Sequence, residues 1–252
     1  MLGEMPFIVG FLISLAVGLT GVGAGSITAP ILILFFAISP AESVGTSLIF
    51  AALIKLVVAP MYLMRKQVNG RVMLLLCAGG LPGVLLGVYL IGVLNAKHYE
   101  RALFVLLGTT IATMALYSCY RALQRGRLAK GVDRHGWLPA IAAGIGAEVG
   151  FSSAGAGALG SVALLNLTSL TPAEVIGTDM LFGLVLSVVG GGFNLSAGHY
   201  DATLLWKLTA GGVLGVLMGA NLSAVLPARP LRVGLAVWLS LVGAQLAWKG
   251  LF

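Results

Sequence analysis

The chain carries very little charge. Only 9% of its 252 residues are Asp, Glu, Lys or Arg, against roughly 25% in ordinary soluble domains. So few charges cannot clothe a soluble fold of this size. Cysteine is equally scarce. Cys77 and Cys119 both fall inside apolar segments, where they read as small packing residues, and they define neither a metal site nor a disulfide framework. No glycine loop ends in Lys-Ser or Lys-Thr, which argues against ATP-driven work by this chain alone. His98, His135 and His199 stand in or near loops without metal-ligand spacing. Ser152 has no histidine base at matching depth. Neither catalysis nor a cofactor or metal is expected. The N-terminus lacks the basic start of a cleaved signal peptide, so the first apolar stretch is expected in the mature protein.

What the chain has in abundance is apolar sequence. Hydrophobic residues make up 59%, in stretches close to or above the ~20 residues a helix needs to cross a bilayer of about 30 Å. The stretches are continuous rather than alternating, which excludes membrane strands. The 36 glycines would break soluble helices but let membrane helices approach closely. The net charge of +7 comes from basic residues in the short gaps between apolar runs, a placement that suits membrane topology rather than nucleic-acid binding. The composition predicts an all-α integral membrane protein whose surroundings are the lipid bilayer, with a homo-oligomer left open.

The sequence repeats itself. Shifted by 132 residues it aligns without a gap: Gly18 falls on Gly150, Gly23-Ala24-Gly25 on Gly155-Ala156-Gly157, and Pro40-Ala41-Glu42 on Pro172-Ala173-Glu174. Gly45-Thr46 then falls on Gly177-Thr178, and Gly79, Gly83 and Gly87 on Gly211, Gly215 and Gly219. This predicts a first repeat over 1–120, a basic linker over 121–136 and a second repeat over 137–252. In each repeat two short apolar stretches flank a glycine-rich break, at 18–26 and 150–157, and three longer stretches follow. The short stretches, at about 20 Å for thirteen residues, suit a helical hairpin entering and leaving on one side.

Basic residues set the expected orientation. Arg121, Arg125, Arg127, Lys130 and Arg134 in the linker place it in the cytoplasm, together with the loop holding Arg65, Lys66 and Arg71. The matching loop of the second half, Gly198-His199-Tyr200-Asp201, has no Lys or Arg and is expected outside. Lys97 and Arg101, also expected outside, run against the rule. On balance the two repeats are expected to be inverted, each a glycine-broken hairpin plus three transmembrane helices, with any site near the midplane where they meet.

The glycine breaks are the first candidates for chemistry. Gly21, Gly23 and Gly25 in one half, and Gly155 and Gly157 in the other, permit unusual dihedrals and expose backbone N–H groups. The helix after each break would aim its positive N-terminus at the tip, and two tips would make an anion site. Ser26, Thr28, Ser152 and Ser153 can add hydroxyls. Close packing of small residues is the alternative. Ser39 with Glu42, and Thr171 with Glu174, match capping boxes. One turn on, Thr46-Ser47 and Thr178-Asp179 could face the same cavity. Three ionisable residues fall at membrane depth: Lys55, Glu148 and Asp179. Their repeat partners are Ser187, Ala16 and Ser47, so all three break the symmetry. Lys55 could neutralise an anion, pair with Glu148 or Asp179, or snorkel to the surface; Glu148 or Asp179 could carry a coupling proton. Asn194 is a further candidate polar contact. The glycine triads read as flat packing faces. Trp137, Trp206, Trp238 and Trp248 are expected near segment ends.

The run from Gly18 to Ser26, the following Gly45-Thr46-Ser47-Leu48 and the glycine helix at 79–87, with their echoes at Gly177-Thr178-Asp179 and Gly211 to Gly219, resemble the sulfite exporter TauE/SafE family over nearly the whole chain. The resemblance implies a transporter in a bacterial or archaeal cell (inner) membrane that exports sulfite, a sulfonate or a similar small sulfur-containing anion. Taken with the repeat, it points to a secondary transporter working by alternating access. A passive anion channel, an intramembrane enzyme and a non-transporting partner subunit are the alternatives.

Overall fold

The computed structural model describes residues 4–251 apart from 21–22, 97–98, 124–134, 156, 158 and 223–227. Among them the regular structure is helical: α1 (Met5–Thr20), α2 (Ala24–Phe35), α3 (Pro40–Met64), α4 (Gly70–Ala96) and α5 (Glu100–Leu123), then a 3₁₀ turn at His135–Trp137, then α6 (Leu138–Ser152), α7 (Leu159–Leu167), α8 (Pro172–Ser196), α9 (Ala202–Leu222) and α10 (Ala228–Leu251). Helices α3, α4, α5, α8, α9 and α10 are each long and apolar enough to cross a membrane. Their outward faces carry residues such as Leu74, Trp206 and Leu241, all more than half exposed. The chain is an integral membrane protein.

Local sequence starts and stops the long helices in matched ways. The Ser39 and Thr171 hydroxyls accept the N–H groups of Glu42 and Glu174, and Pro40 and Pro172 open α3 and α8. At Thr171 the box is complete, because Glu174 Oε2 also accepts the Thr171 N–H at 2.9 Å. Both helices end on a residue of positive φ, Lys66 at 54° and Gly198 at 72°. The next N–H groups bond back to Tyr62 and Asn194. These left-handed stops turn the chain sharply into α4 and α9.

Packing follows the same offset. Gly79, Gly83 and Gly87 lie against the main chain of Pro139, Ala143 and Ala147 in α6, and Gly211, Gly215 and Gly219 against Phe7, Phe11 and Leu15 in α1. A Cβ at any of the six would collide with a backbone carbonyl, so glycine is what lets these parallel helices touch. The expected flat packing faces are present. Helices α3 and α8 cross in opposite directions, with Gly45 beside Asn194 and His199 at one end and Gly177 beside Gln67 at the other. Helices α5 and α10 also run antiparallel, Gly108 meeting Ala247 and Gly250 meeting Arg101. Phe50 and Phe182, one on each central helix, are fully buried in two adjoining apolar clusters.

Three local expectations change. Gly18 and Gly150 sit inside α1 and α6, not in the breaks. Each packs on a facing helix, Gly18 on Val216 and Ala220 and Gly150 on Val84 and Val88, so tertiary contact holds the helix through glycine. Gly25 likewise belongs to the first turn of α2. Trp238 lies within α10, half-buried against both clusters, whereas Trp137, Trp206 and Trp248 are exposed.

Candidate functional site

At the breaks, Gly23, Ser153, Ala154 and Gly155 are buried. Helix α1 stops at Thr20, whose hydroxyl donates back to the Ala16 carbonyl at 2.6 Å. Helix α2 starts after Gly23, which is extended (φ −60°, ψ 130°) and gives no side-chain cap. Gly21 lies outside the described residues. In the second half α6 ends on Ser153 in the left-handed region, φ 60°, and Gly155 and Gly157 follow at φ +92° and +98°. That conformation costs a side-chain-bearing residue free energy, so these two glycines are required by the turn. Helix α1 runs parallel to α9, and α9 begins beside the start of α3, into which α2 leads. The unit α1–break–α2 therefore begins and ends at the same end of the bundle.

The two breaks meet. Gly25, in the first turn of α2, lies against the Oγ and carbonyl oxygen of Ser153, with no room for a Cβ. The Ser26 N–H donates to the Gly23 carbonyl at 3.2 Å, and the start of α2 carries the helix's positive end. Ser26 and Thr28 turn their hydroxyls onto the Gly23 and Ala24 carbonyls, at 2.6 and 2.8 Å. Ser153 Oγ, 6% exposed, and Ser47 Oγ, fully buried, have no hydrogen-bond partner.

Asp179, the repeat partner of Ser47, is engaged instead. It reaches the start of α7, where its Oδ2 accepts the Ser161 hydroxyl at 2.6 Å. Backbone amides of Gly157 and Ser161 face the same carboxylate. Its Oδ1 accepts no hydrogen bond and lies against the Cα of Gly160. Sequence reasoning passed over Ser161. The signal was present as a paired departure from the repeat: Ser161 stands where the first half has Ala29, just as Asp179 stands where it has Ser47.

Lys55 is 5% exposed, which overturns snorkelling to the surface. Its Nζ donates to Ser187 Oγ at 3.3 Å, and the Ser187 hydroxyl passes a bond to the Gly183 carbonyl at 2.7 Å. Lys55 and Asp179 feel each other's charge without forming an ion pair. Glu148 faces a different place, a cavity of 470 Å³ between α5, α6 and α7 lined also by Met114, Tyr117 and Asn166. Its Oε1 accepts the Ser152 hydroxyl at 2.8 Å, and Ser152 Oγ accepts the Ala154 N–H at 3.1 Å. Glu148 is thereby linked to the second break.

Thr46, Thr178 and Asn194 are bound into the framework. The Thr178 hydroxyl accepts the Asn69 N–H at 3.1 Å, and the Thr46 hydroxyl accepts the Asp201 N–H at 3.0 Å. Asn194 donates to the Gly190 carbonyl at 2.8 Å while its Oδ1 is unpartnered. All three stand at the ends of the α3–α8 crossing, whereas Gly23, Gly25, Ser26, Ser153, Gly155 and Gly157 gather at the two breaks.

This duplicated frame of glycine-packed helices around two breaks has relatives. The family model described as "Sulfite exporter TauE/SafE" matches residues 6–246. The chain belongs to the sulfite exporter TauE/SafE family. Membership places it among membrane transporters. Three relatives from Bacillus subtilis (strain 168) span nearly the same length. "Probable membrane transporter protein YjnA" is 27% identical over 248 residues, covering 95% of this chain and 97% of its own. "Probable membrane transporter protein YunE" is 23% identical, covering 98% of this chain and 100% of its own. "Probable membrane transporter protein YdhB" is 26% identical, covering 86% and 89%. No solved structure matches the chain.

Proposed function

We propose that this protein is a secondary transporter that exports a small sulfur-containing anion, sulfite or a sulfonate, across the cytoplasmic membrane. The observation that carries the reading is the meeting of the two breaks at Gly25 and Ser153. An uncapped helix N-terminus and unpartnered buried hydroxyls favour an anion there. Lys55, buried on α3 and bonded to the neutral Ser187 hydroxyl rather than to a carboxylate, supplies the positive charge in this reading.

The architecture we assign is a pair of inverted repeats, 1–120 and 137–252, joined by a cytoplasmic linker over 121–136. Antiparallel packing of α3 on α8 and of α5 on α10 supports inversion. Repeats of this kind move a midplane site from one side to the other by rocking against each other. The interior-negative potential drives an anion outward by about 2.3 kcal/mol per charge per 100 mV, so export does not depend on a coupled proton. Where a proton is coupled, Glu148 is the candidate, with its carboxylate on a cavity and its link through Ser152 to the break. No chemical step on the substrate is part of this reading.

Purified protein in proteoliposomes tests it. Sulfite, sulfate, thiosulfate and methanesulfonate are each loaded inside, and efflux is followed with and without the same anion outside. Saturable efflux with counterflow is expected, weakened by Lys55→Ala. Flux that neither saturates nor shows counterflow makes the protein a channel. Flux of a cation or a neutral solute, with none of these anions, overturns the anion reading.

A further inference from the structure

The cavity between α5, α6 and α7 is polar toward both ends and apolar along its wall. Glu148 marks the end near the second break, because its Cγ and the Leu159 side chain both lie beside Gly155. Asn166 marks the other end. It stands seven residues beyond Leu159 along α7, a rise of about 10 Å. Met114, Ile145, Val162 and Ala163 supply the apolar wall, and Tyr117 adds a ring. The volume of 470 Å³ lies within the range of about 300–1,000 Å³ usual for small-molecule sites.

Glu148 is only half satisfied. Its Oε1 accepts the Ser152 hydroxyl. Its Oε2 accepts no hydrogen bond from a described residue and, unlike Asp179 Oδ1, is not sealed in by protein. None of the described lining residues is basic. A carboxyl group in apolar surroundings is costly to ionise without a partner, and the lining provides none. Nor does the duplicated frame require this cavity. The first half has Ala16 for Glu148, Leu34 for Asn166, Leu12 for Gly144 and Ile31 for Ala163, and there α2 packs on α10. Both polar ends and two small lining residues are peculiar to the second half.

We infer that this cavity is a ligand site separate from the meeting of the breaks, and that it takes an elongated amphipathic cation. The class is an alkyl or arylalkyl ammonium ion. Its head donates to Glu148 Oε2, and its apolar body lies along the wall toward Asn166. The carboxylate selects the sign of the charge, and a charge-assisted hydrogen bond is the strong contact. The wall selects the apolar body. A lipid chain would leave Glu148 unpaired, and a small inorganic cation would leave the wall unused. Through Ser152 the bound head is one hydrogen-bonded step from the Ala154 N–H in the second break. The assignment does not depend on whether the transported solute is an anion.

Isothermal titration of the purified full-length protein with phenylbutylammonium, and separately with its neutral counterpart phenylbutanol, tests the assignment. The wild type is expected to bind one ammonium ion per chain, roughly tenfold or more tighter than the alcohol, as a hydrogen bond to a charged group implies. Glu148→Gln is expected to bring the two ligands to equal affinity. Gly144→Leu combined with Ala163→Ile installs the first half's side chains and keeps the carboxylate. That double variant narrows the cavity and is expected to weaken both ligands roughly tenfold. It carries the test by itself if Glu148→Gln fails to fold. Equal affinity for ammonium and alcohol in the wild type marks a pocket for apolar chains only and overturns the inference. A preference that survives Glu148→Gln, undiminished binding in the double variant, or no binding of either ligand overturns it too.

Discussion

Lys55 and Ser187 are 132 residues apart and their side chains meet at 3.3 Å. The separation equals the offset of the internal repeat, so each residue touches its own counterpart. In a two-fold arrangement only residues on the axis can do that. Lys55 and Ser187 sit on antiparallel helices, as the proposed two-fold axis across the helices requires. Lys55 therefore stands where the two central helices cross.

An exchange of the two residues follows. Lys55→Ser combined with Ser187→Lys returns the ammonium to the same axis from the opposite helix. Anion efflux in proteoliposomes is expected to fall about tenfold or more in Lys55→Ser alone, as for a lost charge-assisted contact worth ~1.5–3 kcal/mol, and to recover substantially in the double variant. A double variant no better than Lys55→Ser alone contradicts the axial role.

Thr46→Val and Thr178→Val should cost the same. Each leaves a backbone N–H, of Asp201 or of Asn69, without its acceptor, a loss of about 1–3 kcal/mol where the group is buried. Thermal unfolding in detergent should shift downward by similar amounts in the two variants. Unequal shifts, with one variant unaffected, would show that the two joints are not equivalent.

Glycine faces give a sharper contrast. At Gly83 and Gly215 a Cβ meets the carbonyls of Ala143 and Phe11, whereas at Gly144 nothing lies within 4 Å. Gly83→Ala and Gly215→Ala are expected to lower stability by about 1–3 kcal/mol, the usual cost of overpacking. Gly144→Ala should be neutral or slightly stabilising, since alanine is favoured over glycine by up to ~1 kcal/mol in a helix. Melting curves for the three variants decide the matter.

Sidedness can be read chemically. Arg65 and Ala197 are repeat equivalents, both exposed, each at the end of a central helix. With Cys77 and Cys119 replaced, Arg65→Cys is expected to react with a membrane-impermeant thiol reagent only from the cytoplasmic side, and Ala197→Cys only from outside. Reaction of both from one side would rule out inversion.

The amino-acid sequence by itself determined the class of protein, because scarce charge and long apolar runs leave only membrane helices. It also determined the duplication, the caps at Ser39 and Thr171 and the glycine faces, since each depends on residues near one another in the chain or on a fixed offset. Only the tertiary structure decided where helices continue through glycine, as at Gly18 and Gly150, because a facing helix fills the space that propensity alone would count as a break. It alone decided that Lys55 meets Ser187 and that Asp179 caps α7 while Ser47 stays unpartnered. Those partners lie on different helices, and the crossing of α3 on α8 and the fold-back of each short helix, not any local preference, set which side chains meet.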